Sequence, residues 1–198
     1  MPQKTKTTNI FVAGVGGQGI LKFSNLLCEV AMNAGLDVKK SEIHGMAQRG
    51  GSVTTHVRFG KKVYSPLIPQ GSADFLISME HLEAVRHIRF LNREKGRLIY
   101  DPYEIAPPEV YTAQREYPAD VEDRIIKFAP NRISIPAFEN ALKIKNPRAQ
   151  NVIMLGALST CLDFTDSLYE DVIKAGFKEK YVESNLKAFK LGKELASG

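Results

Sequence analysis

The hydrophobic and polar positions along the chain alternate between two periodicities, one typical of strands and the other typical of helices. Asn9–Ala13 is a short apolar, β-prone run that leads into a glycine-rich turn. From Ile20 the apolar residues recur at helical spacing until Gly35, and Leu36–Val38 begins a second β-prone run. The amino-terminal part of the chain therefore predicts a strand, a glycine turn, a helix and another strand.

The rest of the chain repeats strand and helix patterns. Strands are predicted at Ser52–Phe59, Ala73–Ser78, Arg97–Asp101 and Ile133–Pro136, and helices at about Leu82–Lys95, Ala137–Lys143 and Asn151–Cys161, with two more between Ser167 and Ala196. A turn at Gly60–Lys62 and a short strand at Val63–Tyr64 predict a hairpin with the strand before them. This order predicts an α/β fold, namely a Rossmann-like open, mostly parallel (mixed) sheet flanked by helices.

Length and composition predict one domain. A chain of 198 residues fits one domain of common size, and a hydrophobic content of 43% can supply a core. Prolines and charges are frequent between about 103 and 132, so we expect an irregular excursion with short strands there. Residues 1–198 are thus interpreted as a single domain that carries this excursion.

Several features favour a cytoplasmic protein. No apolar run approaches the roughly 20 residues that span a bilayer. The polar amino terminus leads directly into the first strand, without a signal-peptide core. Cys28 and Cys161 both lie in apolar helical patterns, which favours buried thiols over a disulfide. We expect a cytoplasmic location and no membrane contact.

The net charge of +5 raises the question of a nucleic-acid partner. Arg86, Arg89, Arg93 and Arg97 recur close to one face of a predicted helix. A solvated helix face, a docking face for an acidic protein and a nucleic-acid site are all compatible with this stripe. Because neither interleaved aromatic residues nor a nucleic-acid motif accompanies it, a solvated face is favoured and nucleic acid is not expected.

The glycine-rich turn spans Gly14-Val15-Gly16-Gly17-Gln18-Gly19 and matches the pattern GxGxxG between a strand and a helix. Glycines permit a tight turn and close approach of a ligand, and the helix start presents unpaired N–H groups. A dinucleotide site also needs an acid after the second strand, and Glu42 lies 23 residues beyond Gly19. The motif permits three interpretations: a tight turn with a subunit contact, an anion site, or a dinucleotide site.

A polar, glycine-rich segment between Ser41 and Gly51 predicts a loop, or a loop with a short helix, that is too long for a minimal ribose-binding turn. Methionine and arginine are favoured in protein interfaces, and glycines let backbone approach another chain closely. The residues that we expect to face a partner are Glu42, Met46, Gln48, Arg49, Gly50 and Gly51. An alternative is that Glu42 and Arg49 pair with each other inside the loop.

These two motifs, in this order and spacing, resemble the gamma-type domain of the 2-oxoacid:ferredoxin oxidoreductases. The similarity continues at Ile135-Pro136-Ala137, through Asn151–Ala157 and at Asn185–Phe189, so it covers nearly the whole chain. The resemblance implies a subunit of an enzyme that oxidatively decarboxylates 2-oxoacids to acyl-coenzyme A. The Gly-Met-Ala-Gln-Arg-Gly-Gly form of the loop is similar to that of enzymes for indolepyruvate or other aryl pyruvates.

The cofactors of that family are thiamine diphosphate, Mg²⁺ and iron–sulfur clusters, with coenzyme A as cosubstrate. A cluster needs several closely spaced cysteines, and the sequence has two distant ones and no Gly-Asp-Gly motif. The resemblance therefore implies that these cofactors reside on a larger alpha subunit, which passes electrons to ferredoxin in a hetero-oligomer. The isolated chain is expected to be inactive.

No residue pattern predicts catalysis on this chain. His44, His56, His81 and His87 lack metal-ligand spacing and are interpreted as structural, and neither a catalytic residue nor a metal site is predicted. An alternative function remains open from the sequence: a stand-alone NAD(P)-binding protein that uses Gly14–Gly19 and Glu42. A basic binding module that uses the arginine stripe is a third possibility.

Overall fold

The computed structural model describes residues 7–44, 50–106 and 116–198. They form a six-stranded mixed sheet in the order β2-β3-β1-β4-β5-β6. The strands are β1 (Thr8–Val15), β2 (Asp37–His44), β3 (Ser52–Gly60), β4 (Phe75–Ser78), β5 (Arg97–Tyr100) and β6 (Arg132–Ser134). Strands β1, β4, β5 and β6 are parallel, whereas β3 runs antiparallel to both β1 and β2. The predicted α/β fold with a mostly parallel, mixed sheet is confirmed.

Helices cover both faces of the sheet. They are α1 (Ile20–Asn33), α2 (His81–His87), α3 (Val121–Phe128), α4 (Ala137–Lys143), α5 (Gln150–Ser159), α6 (Asp166–Gly176) and α7 (Glu179–Ser197). Short 3-10 turns follow α2 at Ile88–Phe90 and precede α5 at Pro147–Ala149. Helix α5 is buried along its whole length, which explains its nearly continuous apolar sequence.

The alternation of side chains along β1 divides the core into two layers. Ile10 and Val12 face a large cluster formed with α1, α4, α5, α6 and α7. Phe11 and Ala13 face a smaller cluster formed with α2 and α3. Because successive side chains of a strand point to opposite faces, a central strand that is buried on both sides reads as a continuous apolar run.

Strand β2 differs from the sequence prediction. It extends through Ser41, Glu42 and Ile43, which were expected to belong to a loop. Its polar composition follows from its place at the sheet edge, where lysines and other polar residues are tolerated and discourage pairing with other chains.

The predicted hairpin through Val63 and Tyr64 is wrong. Neither residue lies in a strand, and β3 pairs with β2 on one side and β1 on the other. The mixed character of the sheet therefore comes from insertion of the antiparallel β3. The side chain of Asp37, which accepts a hydrogen bond from the backbone N–H of Val63 at 3.0 Å, holds the chain after β3 against the sheet edge.

The helix predicted at Leu82–Lys95 ends at His87 instead. After the 3-10 turn the backbone becomes extended at Leu91, which forms an isolated parallel bridge with Ala73. Arg97 lies in β5, so the four arginines do not share a helical face. Arg86 pairs with Glu83 and Arg97 donates to Asn131, which leaves Arg89 and Arg93 as exposed surface cations.

The chain between β5 and β6 also departs from expectation. Short strands were predicted between about 103 and 132, but residues 121–128 form α3, whose Val121 and Ile125 pack in the smaller core layer. Cys161 lies just beyond α5 and is half-buried rather than enclosed. Cys28 is buried, and burial raises the pKa of its thiol to about 11.

Candidate functional site

The glycine turn and several buried, hydrogen-bonded polar side chains lie at one edge of the sheet. Strands β1, β4, β5 and β6 end at this edge, and the register of β3 places its first residue, Ser52, opposite Val15 at the end of β1. Strand β2 ends there too, with His44 opposite Val53. We call this edge the carboxyl edge. Ligand sites of open α/β sheets lie at the carboxyl ends of the parallel strands.

The glycine turn begins at the end of β1 and leads into α1. Gly14 is still part of β1, Gly16–Gln18 make the turn, and Gly19 is the N-cap of α1. Gly17 and Gly19 adopt positive φ values of 107° and 81°, whereas Gly16 does not. Two of the glycines are thus required by backbone conformation.

The side chain of Gln18 folds back into this turn. Its Oε1 accepts a hydrogen bond from the backbone N–H of Val15 at 2.7 Å, and its Nε2 donates to the carbonyl oxygen of Met79 at 2.6 Å. Gln18 therefore ties the turn to the chain that leaves β4. These bonds support the interpretation of the motif as a tight structural turn.

A second glutamine extends the network across the carboxyl edge. Gln150 Nε2 donates to the carbonyl oxygen of Met79 at 2.8 Å and to Asp101 Oδ2 at 2.9 Å. Asp101 also accepts from the backbone N–H groups of Tyr103 and Phe138. Burial raises the pKa of this carboxyl, and these hydrogen bonds offset the effect only in part. The network joins the ends of β1, β4 and β5 to the start of α5.

Asn151 packs against the start of α1. Its Nδ2 donates to the carbonyl oxygen of Gly19 at 3.2 Å, and it is 5% exposed. A Cβ atom on Gly19 would lie 2.3 Å from this nitrogen. The contact explains a second requirement for glycine at position 19, beyond its backbone conformation.

Glu42 does not occupy a dinucleotide-binding position. It lies in β2, which is separated from β1 by β3, so the two strands are roughly 10 Å apart at about 4.8 Å per strand. Its carboxylate also forms an ion pair with Lys40 at 2.5 Å. A ribose-binding acid lies at the end of the strand next to β1, so the geometry does not favour the nicotinamide interpretation.

We expect the purified chain to bind neither NAD(H) nor FAD. The reasons are the Gln18 side chain in the glycine turn and the displacement of Glu42 from β1. Isothermal titration calorimetry with each nucleotide should give no binding heat above dilution. Micromolar binding that Gly17→Ala weakens, while the surface variant Glu94→Ala leaves it intact, would restore the nicotinamide interpretation.

The structure describes only part of the predicted partner-facing segment. Gly45, Met46, Ala47, Gln48 and Arg49 lie outside the described residues. Gly50 and Gly51 follow them, and the carbonyl oxygen of Gly51 accepts a hydrogen bond from the backbone N–H of Gly16 at 2.9 Å. Gly51, the last residue of this segment, therefore lies beside the glycine turn at the carboxyl edge. The alternative pairing of Glu42 with Arg49 falls on a residue outside that description.

Glu83 is a buried carboxylate next to Ser52, and no sequence pattern beyond an acid near a helix start indicates it. Glu83 of α2 accepts a hydrogen bond from Ser52 Oγ and pairs with Arg86 at 2.5 Å and with His87 at 3.3 Å. Burial by itself raises the pKa of Glu83, but the hydrogen bonds from His87, Ser52 and Arg86 outweigh it and leave the pKa below its usual value. Glu83 is thus held as a carboxylate.

A second buried carboxylate, Glu80, lies one turn earlier. It accepts hydrogen bonds from the backbone N–H groups of Glu83 and Ile105 and from the hydroxyl of Tyr117. The neighbouring His81 contacts Glu104 at 3.3 Å and Glu122 at 3.0 Å. These contacts attach the chain between β5 and α3 to the start of α2.

His56 and the groups that could bind a metal ion remain to be placed in the fold. His56 is buried between aromatic rings and its Nδ1 accepts from the backbone N–H of Ile68; burial lowers its pKa. Among residues 7–44, 50–106 and 116–198, no three His, Cys, Asp or Glu side chains are grouped to hold a metal ion. Within the same ranges, no helix is long and apolar enough to cross a bilayer.

A cavity of about 890 Å³ opens at the opposite edge of the sheet. Its lining combines aromatic rings such as Phe59 and Phe164 with exposed charges of both signs, Lys61, Lys95 and Asp163. Such exposed charges do not define a ligand class. The carboxyl edge, with its buried and hydrogen-bonded polar groups, is the stronger candidate site.

The chain is similar to known proteins over nearly its whole length. Residues 9–195 match the family described as pyruvate ferredoxin/flavodoxin oxidoreductase. Indolepyruvate oxidoreductase subunit IorB of Archaeoglobus fulgidus is 42% identical over 188 residues, which cover 93% of this chain and 92% of that protein. The subunit of the same name from Thermococcus kodakarensis is 38% identical over 197 residues, with 96% of both chains covered.

A solved structure shares the fold. The 2-oxoglutarate:ferredoxin oxidoreductase from Magnetococcus marinus, with 2-oxoglutarate, coenzyme A and succinyl-CoA bound, superposes with a TM-score of 0.77 at 24% identity. The match covers 98% of this chain and 32% of that longer chain. At this level of identity the likeness supports the architecture described above.

Proposed function

Because the chain belongs to the pyruvate ferredoxin/flavodoxin oxidoreductase family, we propose that it acts as the beta subunit of an oxidoreductase for indolepyruvate or another aryl pyruvate. The complex oxidatively decarboxylates the 2-oxoacid to an acyl-coenzyme A and CO₂, and ferredoxin accepts the two electrons. The observation that carries this proposal is the end-to-end similarity to indolepyruvate oxidoreductase subunits. The stand-alone NAD(P)-binding alternative is not favoured.

The residues of this chain do not fit the cofactors of that chemistry. An iron–sulfur cluster is held by about four cysteine thiolates, whereas the sequence contains Cys28 and Cys161 alone. Cys28 is enclosed in the α1 packing layer, where its pKa is raised, and Cys161 accepts a hydrogen bond from Arg97. We therefore assign the clusters, thiamine diphosphate and Mg²⁺ to a larger alpha subunit, and derive no chemical step on this chain.

In this proposal the subunit contributes a surface to the assembly. Met46, Gln48, Arg49, Gly50 and Gly51 face the alpha subunit, and the Gly16–Gly51 hydrogen bond supports a common surface with the glycine turn. Glu42 is the weakest of the expected partner contacts, because its carboxylate is already paired with Lys40. A cytoplasmic location belongs to the same proposal, and the two free thiols support it.

Arg49→Ala is expected to weaken assembly with the alpha subunit by ~2 kcal/mol, because an arginine in a desolvated contact often dominates binding. The thermal midpoint of the free subunit should remain nearly unchanged. Both subunits are purified and mixed anaerobically. Affinity and the reduction of ferredoxin or viologen by indolepyruvate and coenzyme A are then measured.

Arg93→Ala is the matched control. Arg93 is an exposed arginine that precedes β5 at the opposite edge of the sheet. It should leave affinity and turnover at wild-type values. A wild-type chain that neither binds nor activates the alpha subunit contradicts the proposed function. Full affinity and turnover for Arg49→Ala contradict only the role of this segment.

A further inference from the structure

His81, at the start of α2, lies between two carboxylates that belong to other parts of the chain. Its Nδ1 is 3.3 Å from Glu104 Oε1, and its Nε2 is 3.0 Å from Glu122 Oε2. Glu104 follows β5, whereas Glu122 lies in the first turn of α3. The imidazole is buried, and its ring stacks on that of Tyr100 at a centroid distance of 5.9 Å. One side chain of α2 therefore contacts both the chain that leaves β5 and the helix that follows.

The hydrogen-bonding capacity of these groups determines how the contact works. A carboxylate only accepts hydrogen bonds, and a neutral imidazole carries a single N–H. Both carboxylates can therefore receive a hydrogen bond from His81 only when both ring nitrogens carry a proton. In the neutral ring, one nitrogen presents a lone pair to a carboxylate oxygen, and that contact is no longer a hydrogen bond.

The groups around His81 are acids and hydroxyl donors. Tyr100 donates its hydroxyl to both oxygens of Glu122, and Tyr117 donates to Glu80. Burial, and after it the carboxylates, raise the pKa of both tyrosine hydroxyls, so both remain protonated donors. The charged and titratable groups that act on His81 or on its partners are Glu80, Glu104, Glu122, Tyr100, Tyr117 and Arg132 of β6. Three carboxylates thus lie around one imidazole, and its imidazolium form supplies a positive charge between them.

Several contacts fix the position of residues 101–106, which we call the strap. The backbone N–H of His81 donates to the carbonyl oxygen of Tyr103 at 3.0 Å, and Glu80 accepts from the backbone N–H of Ile105. Tyr103 stacks on Phe138 at a centroid distance of 4.0 Å. Residues 101–103 and Phe138 line a cavity of about 300 Å³ at the carboxyl edge. The attachment of the strap to α2 therefore sets one wall of this cavity.

We propose that His81 is a proton-dependent clasp, which in its doubly protonated form holds the strap and α3 against α2. When the second proton leaves, one of the two carboxylates loses its hydrogen bond, and the strap and α3 are held less firmly. The attachment is therefore complete at the acidic end of the histidine titration range and weakens as the pH rises. The clasp belongs to the free subunit and is independent of the function proposed above.

NMR of the histidine rings in the ¹⁵N-labelled free subunit tests the proton count directly. At about pH 6, His81 should show two ring N–H groups, and at about pH 8.5 it should show one. His56 is the internal reference. Its Nδ1 accepts the backbone N–H of Ile68, so it should show a single ring N–H at both pH values.

Hydrogen exchange of the backbone amides tests the attachment. Protection factors, which are corrected for the intrinsic pH dependence of exchange, should fall about fivefold in the strap and α3 between these two pH values. In His81→Asn they should already be low at the lower pH and should change by less than about twofold. His87→Gln is the matched control, because His87 also lies on α2 but contacts the carboxylate of Glu83 instead. It should keep the wild-type pH dependence.

Glu104→Gln separates the clasp from a merely structural contact. A glutamine amide can donate to the unprotonated nitrogen of a neutral imidazole, whose remaining N–H then binds Glu122. At the higher pH this variant should be at least as protected as wild type. Its pH dependence should shrink to less than about twofold.

Three results would each overturn the proposal: a single ring N–H on His81 at the lower pH, wild-type pH dependence in His81→Asn, or weaker protection of Glu104→Gln than of wild type at the higher pH. Loss of the pH dependence in His87→Gln overturns it as well, since the effect would then belong to the helix as a whole. If His81→Asn does not fold, the ring spectra of wild type and the exchange of Glu104→Gln still decide the matter.

Discussion

Gly192→Ala is expected to lower the free energy of unfolding of the free subunit by about 3 kcal/mol, the upper end of what overpacking usually costs. Helices α5 and α7 cross so closely that a Cβ atom on Gly192 would lie 1.9 Å from the carbonyl oxygen of Ile153. On the facing helix, a Cβ on Gly156 would lie 2.1 Å from the carbonyl oxygen of Phe189. Both contacts are with backbone, which cannot turn away as a flexible side chain can.

The measurement is chemical denaturation with urea, compared with Glu194→Ala on the exposed side of α7. The control should lie within about 0.5 kcal/mol of wild type. Gly156→Ala should reproduce the loss, because it separates the same two helices. Wild-type stability in both glycine variants would show that the crossing can widen without cost, contrary to the packing described.

Gly19→Ala is expected to destabilise the subunit by about 2–3 kcal/mol, through backbone strain and a steric clash together. Gly19 has a φ of 81°, and its added Cβ would lie 2.3 Å from Asn151 Nδ2. Gly17→Ala separates the two effects. Gly17 also has a positive φ, of 107°, but its added Cβ would meet nothing within 4 Å.

Gly17→Ala should therefore cost about 1 kcal/mol, the strain alone, in the same urea experiment. The double variant Gly19→Ala with Asn151→Ala should be more stable than the sum of the single losses predicts, because shortening Asn151 removes the clash. Equal losses for Gly17→Ala and Gly19→Ala would show that the Asn151 contact contributes nothing.

The buried polar groups of the carboxyl edge could not be identified from the sequence. Asp101, Gln150 and Glu83 are separated from the glycine turn by many residues, and they meet it only because parallel strands end together at one edge. The acid that did stand out, Glu42, was selected by its distance along the chain from Gly19. Because β3 lies between β1 and β2, that distance along the chain does not place Glu42 beside the glycine turn.

Local pattern alone determined the elements whose sequences carry a strong periodicity. Strand β1, the glycine turn, α1 and the buried α5 follow from apolar runs, helical spacing and glycines, because these signals arise between near neighbours in the chain. The same residues carry the resemblance to the family, so the sequence alone indicated the oxidoreductase function.

Tertiary structure alone decided the rest. Strand pairing places the polar β2 at the sheet edge. Helix α2 is shorter than its sequence pattern predicts, because the chain after it forms the Ala73–Leu91 bridge. Glu83 is buried against Ser52, which lies where β1 ends and β3 begins. Strand order and burial depend on contacts between distant residues, which local periodicity does not encode.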